Sequence, residues 1–177
     1  MDTNVVHALI EIPLGSKNKY ELNEEDGRIY LDRVLYASMI YPAEYGFVEN
    51  TLAPDGDPLD ILVICTEPTF PGCMVPARVL GCLSMVDNGA LDYKLIAVVD
   101  CDPHYDHVHA LDDLNPFLLK EIANFFTNYK VLQGIKVEVG QYIKGDDAFQ
   151  IIDECRQRYL DAKAEEAVKA ILEGEVK

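Results

Sequence analysis

Asp55-Gly56-Asp57-Pro58-Leu59-Asp60 runs without a break into Ile61-Leu62-Val63-Ile64-Cys65. An acidic turn therefore feeds directly into an apolar strand, and Gly56 and Pro58 tighten the turn so that its carboxylates cannot spread apart. Two like charges ~5 Å apart repel by ~3 kcal/mol at an effective dielectric near 20. Three such acids need either outward solvation or a bound cation, and an all-oxygen donor set suits a hard one. Asp55 and Asp57 are two apart, so an extended backbone would aim both at one face, while Asp60 opens the strand. A plain turn is the bland alternative, since Asp-Gly and Asp-Pro are ordinary turn pairs. An EF-hand calcium loop does not fit: the further alternating acids, the glycine at the sixth position and the closing glutamate are missing.

On either side of this stretch the chain reads as β-structure. Strands are expected at 5–12, 18–22, 28–35, 45–49, 59–65, 73–86 and 91–99, parted by Gly, Pro, Asn and Asp clusters. Another is expected at 136–143. Alternation is visible in Ile29-Tyr30-Leu31-Asp32-Arg33-Val34, and Asn88-Gly89 between apolar runs is a hairpin signal. Many short strands at close spacing favour a barrel or sandwich over a doubly wound sheet. A helix is expected to start at Asn115-Pro116, a capping residue followed by proline at the first helical position. It runs to about Lys130 with Leu118, Ile122, Phe125, Phe126 and Tyr129 on its apolar stripe, and Gly134 ends the segment. A second helix runs from near Asp146 to about Leu172, with Ile151, Ile152, Cys155, Tyr159 and Ala162 facing inward. The expected architecture is one α+β, mainly β, domain over residues 1–177.

Composition narrows the partners. The chain has 177 residues, 49% apolar and 26% charged, with 31 acids against 15 bases and a net charge of −16. Such a balance disfavours a polynucleotide partner, whose affinity comes mainly from Lys and Arg on phosphates, and is compatible with Mg²⁺ or Ca²⁺. Cys65, Cys73, Cys82, Cys101 and Cys155 form no C-x-x-C pair and are read as reduced thiols of a cytoplasmic protein. No basic stretch followed by an apolar run suggests a secretory signal, and no run approaches the ~18 apolar residues of a membrane helix.

Further acids and bases complete the candidate chemistry. Asp87 and Asp92 flank the Asn88-Gly89 turn, and Lys94 shares a strand face with Asp92. Lys19 and Glu21 alternate onto one face of their strand, Arg33 follows in the next, and Tyr129-Lys130 closes the first helix. Arg suits a forked phosphate contact and Lys a point charge, although exposed salt bridges would use the same residues. Tyr41-Pro42-Ala43-Glu44-Tyr45-Gly46-Phe47 could be wall or ligand contact. His104, His107 and His109 have no matching Cys or further His nearby and read as a polar loop.

In order along the chain, Ile10-Glu11-Ile12-Pro13, Lys19-Tyr20-Glu21, Asp32-Arg33, Tyr41-Pro42 with Tyr45-Gly46, the Asp55–Asp60 hexapeptide, Asp87…Asp92-x-Lys94 and Phe125-Phe126…Tyr129-Lys130 resemble the soluble family I inorganic pyrophosphatases. The resemblance implies a five-stranded OB-like β-barrel flanked by two main helices. It also implies hydrolysis of pyrophosphate to two orthophosphates with several Mg²⁺ ions, by in-line attack of a metal-activated water. Carried over, Asp55, Asp60 and Asp92 are the core metal ligands, Asp87 binds a substrate-borne ion and Glu11 a more peripheral one. Asp57 is the general base, Lys19, Arg33, Lys94, Tyr45, Tyr129 and Lys130 hold the phosphates, and Glu21 is an outer-sphere acid. The compact length implies a homo-oligomer, a hexamer, without nucleic acid or membrane partners. The rivals are an OB-barrel module that only binds, and a hydrolase of nucleotides or longer polyphosphates.

Overall fold

The computed structural model describes residues 4–87 and 89–174. Five strands close a ring: β1 (Val5–Ile12), β4 (Glu44–Val48), β5 (Leu59–Ile64), β7 (Ala90–Val99) and β6 (Met74–Asp87), with β6 returning to pair with β1. The β5–β7 pairing is parallel and the others are antiparallel. β2 (Asn18–Asn23) and β3 (Arg28–Val34) form a separate hairpin, and β8 (Val137–Lys144) adds to the second half of β6. α1 spans Pro116–Asn128 and α2 spans Asp146–Gly174. The expected elements are therefore present with ends shifted by a residue or two, and the barrel flanked by two helices is the observed fold.

Period-two alternation sorts the apolar residues into two cores. Leu59, Ile61 and Val63 of β5 join Val6, Ala8 and Ile10 of β1, Val48 of β4, Val75, Ala77 and Val79 of β6, and Leu95 and Ala97 of β7. This set draws on all five ring strands and fills the barrel, with Ala148, Ile152 and Cys155 of α2 closing it. Leu62, Ile64, Ile96 and Val98 point the other way, to the outer flank where Ile122, Phe125 and Phe126 of α1 pack. α1 starts as its sequence requires: Asn115 Oδ1 accepts from the Phe117 N–H at 2.9 Å, with Pro116 in the first turn.

Gly46 is required by a close approach of two backbones. A Cβ there would lie 1.9 Å from the Leu9 carbonyl oxygen and 2.9 Å from the Ile10 Cα, so only glycine lets β4 lie against β1.

One reading changes. The alternation in β3 does not separate buried from exposed residues, because the β2–β3 hairpin stands off the barrel: Tyr30, Leu31 and Val34 are all exposed. The 104–109 stretch is the expected polar loop, with 3-10 turns at Pro103–Tyr105 and Leu111–Asp113. Asn88 lies outside the described residues, but Asp87 and Ala90 pair across the hairpin and Gly89 has φ +82°. Among the described residues no helix is long and apolar enough to cross a membrane. The five cysteines are free, with Cys65, Cys82 and Cys155 buried and Cys101 exposed.

Candidate active site

Register brings the distant acids together. In the parallel β5–β7 pairing Asp60 lies beside Lys94, on the outward face of its strand, and Asp92 is two residues earlier on that face. Asp87 ends β6 and the 54–58 turn precedes β5. The result is a cavity of about 330 Å³ at the end of the barrel where β5 and β7 begin. Its wall contains Asp55, Asp57, Asp60, Asp87 and Asp92 together with Lys19, Arg33, Lys94, Lys130, Tyr45 and Tyr129. Glu11 and Glu21 line an adjoining cavity of about 470 Å³, which shares Lys19, Tyr45, Asp57 and Asp60 with the first. Every site residue expected from the sequence thus faces one of two neighbouring cavities, and none is left on another face.

The acidic turn is not extended. Gly56 has φ +98°, and the Asp55 carboxylate accepts the Asp57 N–H at 3.2 Å, an Asx turn that holds the two acids in one tight bend. The Ala53 N–H donates to the Asp57 carbonyl at 2.7 Å and closes the loop. Burial, and then the neighbouring Asp55 and Asp60 charges, push the Asp57 carboxyl above the usual carboxylate range.

Bases answer most of these acids. Lys94, almost wholly buried, contacts Asp60 and lies 2.7 Å from Asp92 Oδ1. Two acidic neighbours outweigh its burial and keep it charged. Burial pushes the Asp92 carboxyl upward, with Lys94 opposing. Lys130 contacts Asp87, and Lys19 contacts Glu21 with Asp32 Oδ2 3.3 Å away. Lys19 and Arg33 are register partners across the hairpin, and Asp32 stands between them, 3.4 Å from Arg33 Nε. Glu11 accepts the Leu22 N–H at 2.7 Å, but desolvation still pushes its carboxyl up to about 7.

Aromatic rings form the rest of the wall. Tyr41, Phe125, Phe126 and Tyr129 form one cluster with centroids 4.8–5.6 Å apart, Phe126 set edge to face against Phe125 and Tyr129 and Phe125 stacked on Tyr129, and Lys94 Nζ lies 5.7 Å from the Tyr45 ring centre. The 41–47 segment thus supplies both wall and cavity lining: Tyr41 is buried in this cluster, and Tyr45 borders both cavities. Burial raises both Tyr45 and Tyr129, so each phenol stays protonated and can donate at neutral pH.

Two residues escaped the sequence reading. Asp32 was visible only as the neighbour of Arg33, and its bridging position depends on the Lys19–Arg33 register. Glu44 is fully buried and accepts from Thr69 N at 2.7 Å, Thr69 Oγ1 at 2.9 Å and Leu14 N at 3.3 Å, fixing the loops that flank β4. Its position in an aromatic-rich strand gave no sign of that role.

Among the described residues no three carboxylates, imidazoles or thiols are grouped as a preformed metal cage. The donor set nevertheless fits hard divalent cations. Five carboxylates share one small cavity, histidine and cysteine are absent from its wall, and burial together with the charges of Asp55 and Asp60 already lifts Asp57.

The inorganic pyrophosphatase family model matches residues 8–160. An inorganic pyrophosphatase of Geobacillus stearothermophilus is 55% identical over 162 residues, covering 92% of this chain and 98% of that protein. Among solved structures, the inorganic pyrophosphatase of Thermus thermophilus is similar with a TM-score of 0.86 at 43% identity, covering 88% of this chain and 91% of its own. That of Helicobacter pylori is similar with a TM-score of 0.87 at 39% identity, covering 90% and 95%. The barrel, the order of the acidic motifs and these matches together establish that the chain belongs to the soluble family I inorganic pyrophosphatases, hydrolases of a phosphoanhydride bond.

Proposed function

We propose that this chain hydrolyses inorganic pyrophosphate to two orthophosphates in the presence of Mg²⁺, with Asp57 as general base. One observation carries the reading: five carboxylates, four bases and two phenols converge on a single cavity of about 330 Å³. Asp55, Asp60 and Asp92 would hold the core cations, Asp87 one arriving with substrate, and Glu11 a peripheral one. A divalent cation bound there supplies positive charge that acidifies water and neutralises phosphate oxygens.

The chain's own groups do the rest. Lys19, Arg33, Lys94 and Lys130 offset the negative charge of the substrate, and the Tyr45 and Tyr129 hydroxyls donate to its oxygens. They hold one phosphorus in line with the attacking water, so catalysis is mainly positioning and electrostatics. Asp57 takes a proton from that water as its oxygen bonds to phosphorus. The bond to the bridging oxygen breaks, and the second phosphate leaves. The raised proton affinity of Asp57 suits this role. Glu21 keeps Lys19 in place from outside the reacting shell.

The reading includes one domain acting in the cytoplasm as a homo-hexamer, for which the exposed apolar residues of the β2–β3 hairpin and the following loop, Tyr30, Leu31, Tyr36 and Ile40, are candidate contacts. The test is phosphate release from pyrophosphate with Mg²⁺. Release that EDTA abolishes supports the reading. Binding of single-stranded DNA without phosphate release would favour the barrel as a binding module instead, and faster cleavage of tripolyphosphate would change the substrate.

A further inference from the structure

The carboxylates that would bind cations and the lysines that would bind phosphate are at present bonded to each other, and the two pairs differ in how firmly. Lys94 is held by two aspartates, lies 5.7 and 6.0 Å from the Tyr45 and Phe126 ring centres, and has a side chain only 4% exposed. It has little room to move. Lys130 follows the last turn of α1, has one carboxylate partner, Asp87, and both side chains are 17% exposed at the cavity wall. A carboxylate oxygen in contact with an ammonium cannot give the same lone pair to a cation, and that ammonium has one donor fewer for phosphate.

We propose that Lys130 and Asp87 undergo a partner exchange when substrate enters: Asp87 passes from the ammonium to the cation that accompanies pyrophosphate, and Lys130 passes to a phosphate oxygen. The proposal rests on the pyrophosphatase reading and adds a coupling to it. Without phosphate, Lys130 holds Oδ2 of Asp87 and weakens that carboxylate as a cation ligand. With phosphate, the lysine is drawn away and the carboxylate is free, so cation and phosphate each strengthen binding of the other by the same factor. Lys94 keeps Asp60 and Asp92 in register and takes no part in the exchange.

The test is Mg²⁺ binding by titration calorimetry in the absence of phosphate, on the wild type, Lys130→Met and Lys130→Met/Asp87→Asn, with circular dichroism confirming the fold. Lys130→Gln replaces Met if the first variant does not fold. The single substitution is expected to tighten one Mg²⁺ site, or reveal an additional one, by about threefold to tenfold, the scale of one partly exposed ion pair. Adding Asp87→Asn should abolish the gain, because only Asp87 was released. No gain in the single variant, or a gain that persists without Asp87, overturns the exchange while leaving pyrophosphate hydrolysis standing. A protein that binds no Mg²⁺ in any of the three forms overturns both.

Discussion

Asp60 and Lys94 are register partners across the parallel β5–β7 pairing, and their side chains are in contact on its outward face. The relationship explains how a strand buried on both sides can carry a carboxylate at its start. A nearly buried lysine compensates Asp60 and Asp92 together, and removal of one member of such a pair leaves uncompensated charge.

Lys94→Met should therefore destabilise the protein in EDTA by about 3 kcal/mol, a fall in melting temperature of roughly 10 °C. Mg²⁺ should restore much of the loss, because a cation replaces the missing ammonium between the two aspartates. Calorimetric melts with and without Mg²⁺ check this. An unchanged melting temperature in EDTA would show that the pair contributes nothing.

Asp57→Asn should leave fold and Mg²⁺ affinity near wild type and lower turnover by about 10²–10⁴-fold. The acidic turn is held by backbone groups of residue 57 and the Asp55 side chain, so an amide at 57 preserves its hydrogen bonds. Steady-state rates beside a Mg²⁺ titration separate the two effects, and wild-type turnover would remove the general-base assignment.

Gly46→Ala should fail to give folded protein, or should lose more than about 3 kcal/mol. The added methyl group meets the Leu9 carbonyl at 1.9 Å, and neither strand can retreat without breaking the β1–β4 pairing. Soluble yield and melting temperature provide the check. A melt within a few degrees of wild type would contradict the close approach.

Acid stability should depend on Asp102. Hydrogen bonds from the Thr66 hydroxyl at 2.6 Å, the Thr66 N–H and the His104 N–H hold its carboxyl well below the usual range. A depressed carboxylate stabilises the folded state above its unfolded pKa, about 3.9, and loses that contribution as pH falls through its folded value. The stability gap between wild type and Asp102→Asn should be constant above about pH 5 and close on further acidification. A gap that does not change with pH would assign Asp102 a purely steric role.

Local chemistry was legible where residues near in sequence decide it. Asn115-Pro116 announced α1, Asn88-Gly89 marked the β6–β7 hairpin, and the apolar run from Leu59 to Cys65 announced β5. The candidate site was legible as a set of motifs but not as a shape. Asp60 and Lys94 are 34 residues apart, and only ring closure through β1–β6 and the parallel β5–β7 pairing makes them neighbours. The acidic turn itself was legible from Gly56 and Pro58, but the Asx hydrogen bond from the Asp57 N–H to Asp55 Oδ1, which sets how the two acids are aimed, was not. Glu44 was invisible for a related reason: its partners come from two loops, at Leu14 and Thr69, on either side of it in the chain.

The account stands on carboxylates from separate strands becoming a cation cage. Anomalous diffraction from crystals grown with Mn²⁺, recorded at the manganese absorption edge, tests this most directly. The expected result is ions in coordination contact with Asp55, Asp60 and Asp92. Ions found only elsewhere on the surface, with those three side chains uncoordinated, would contradict it.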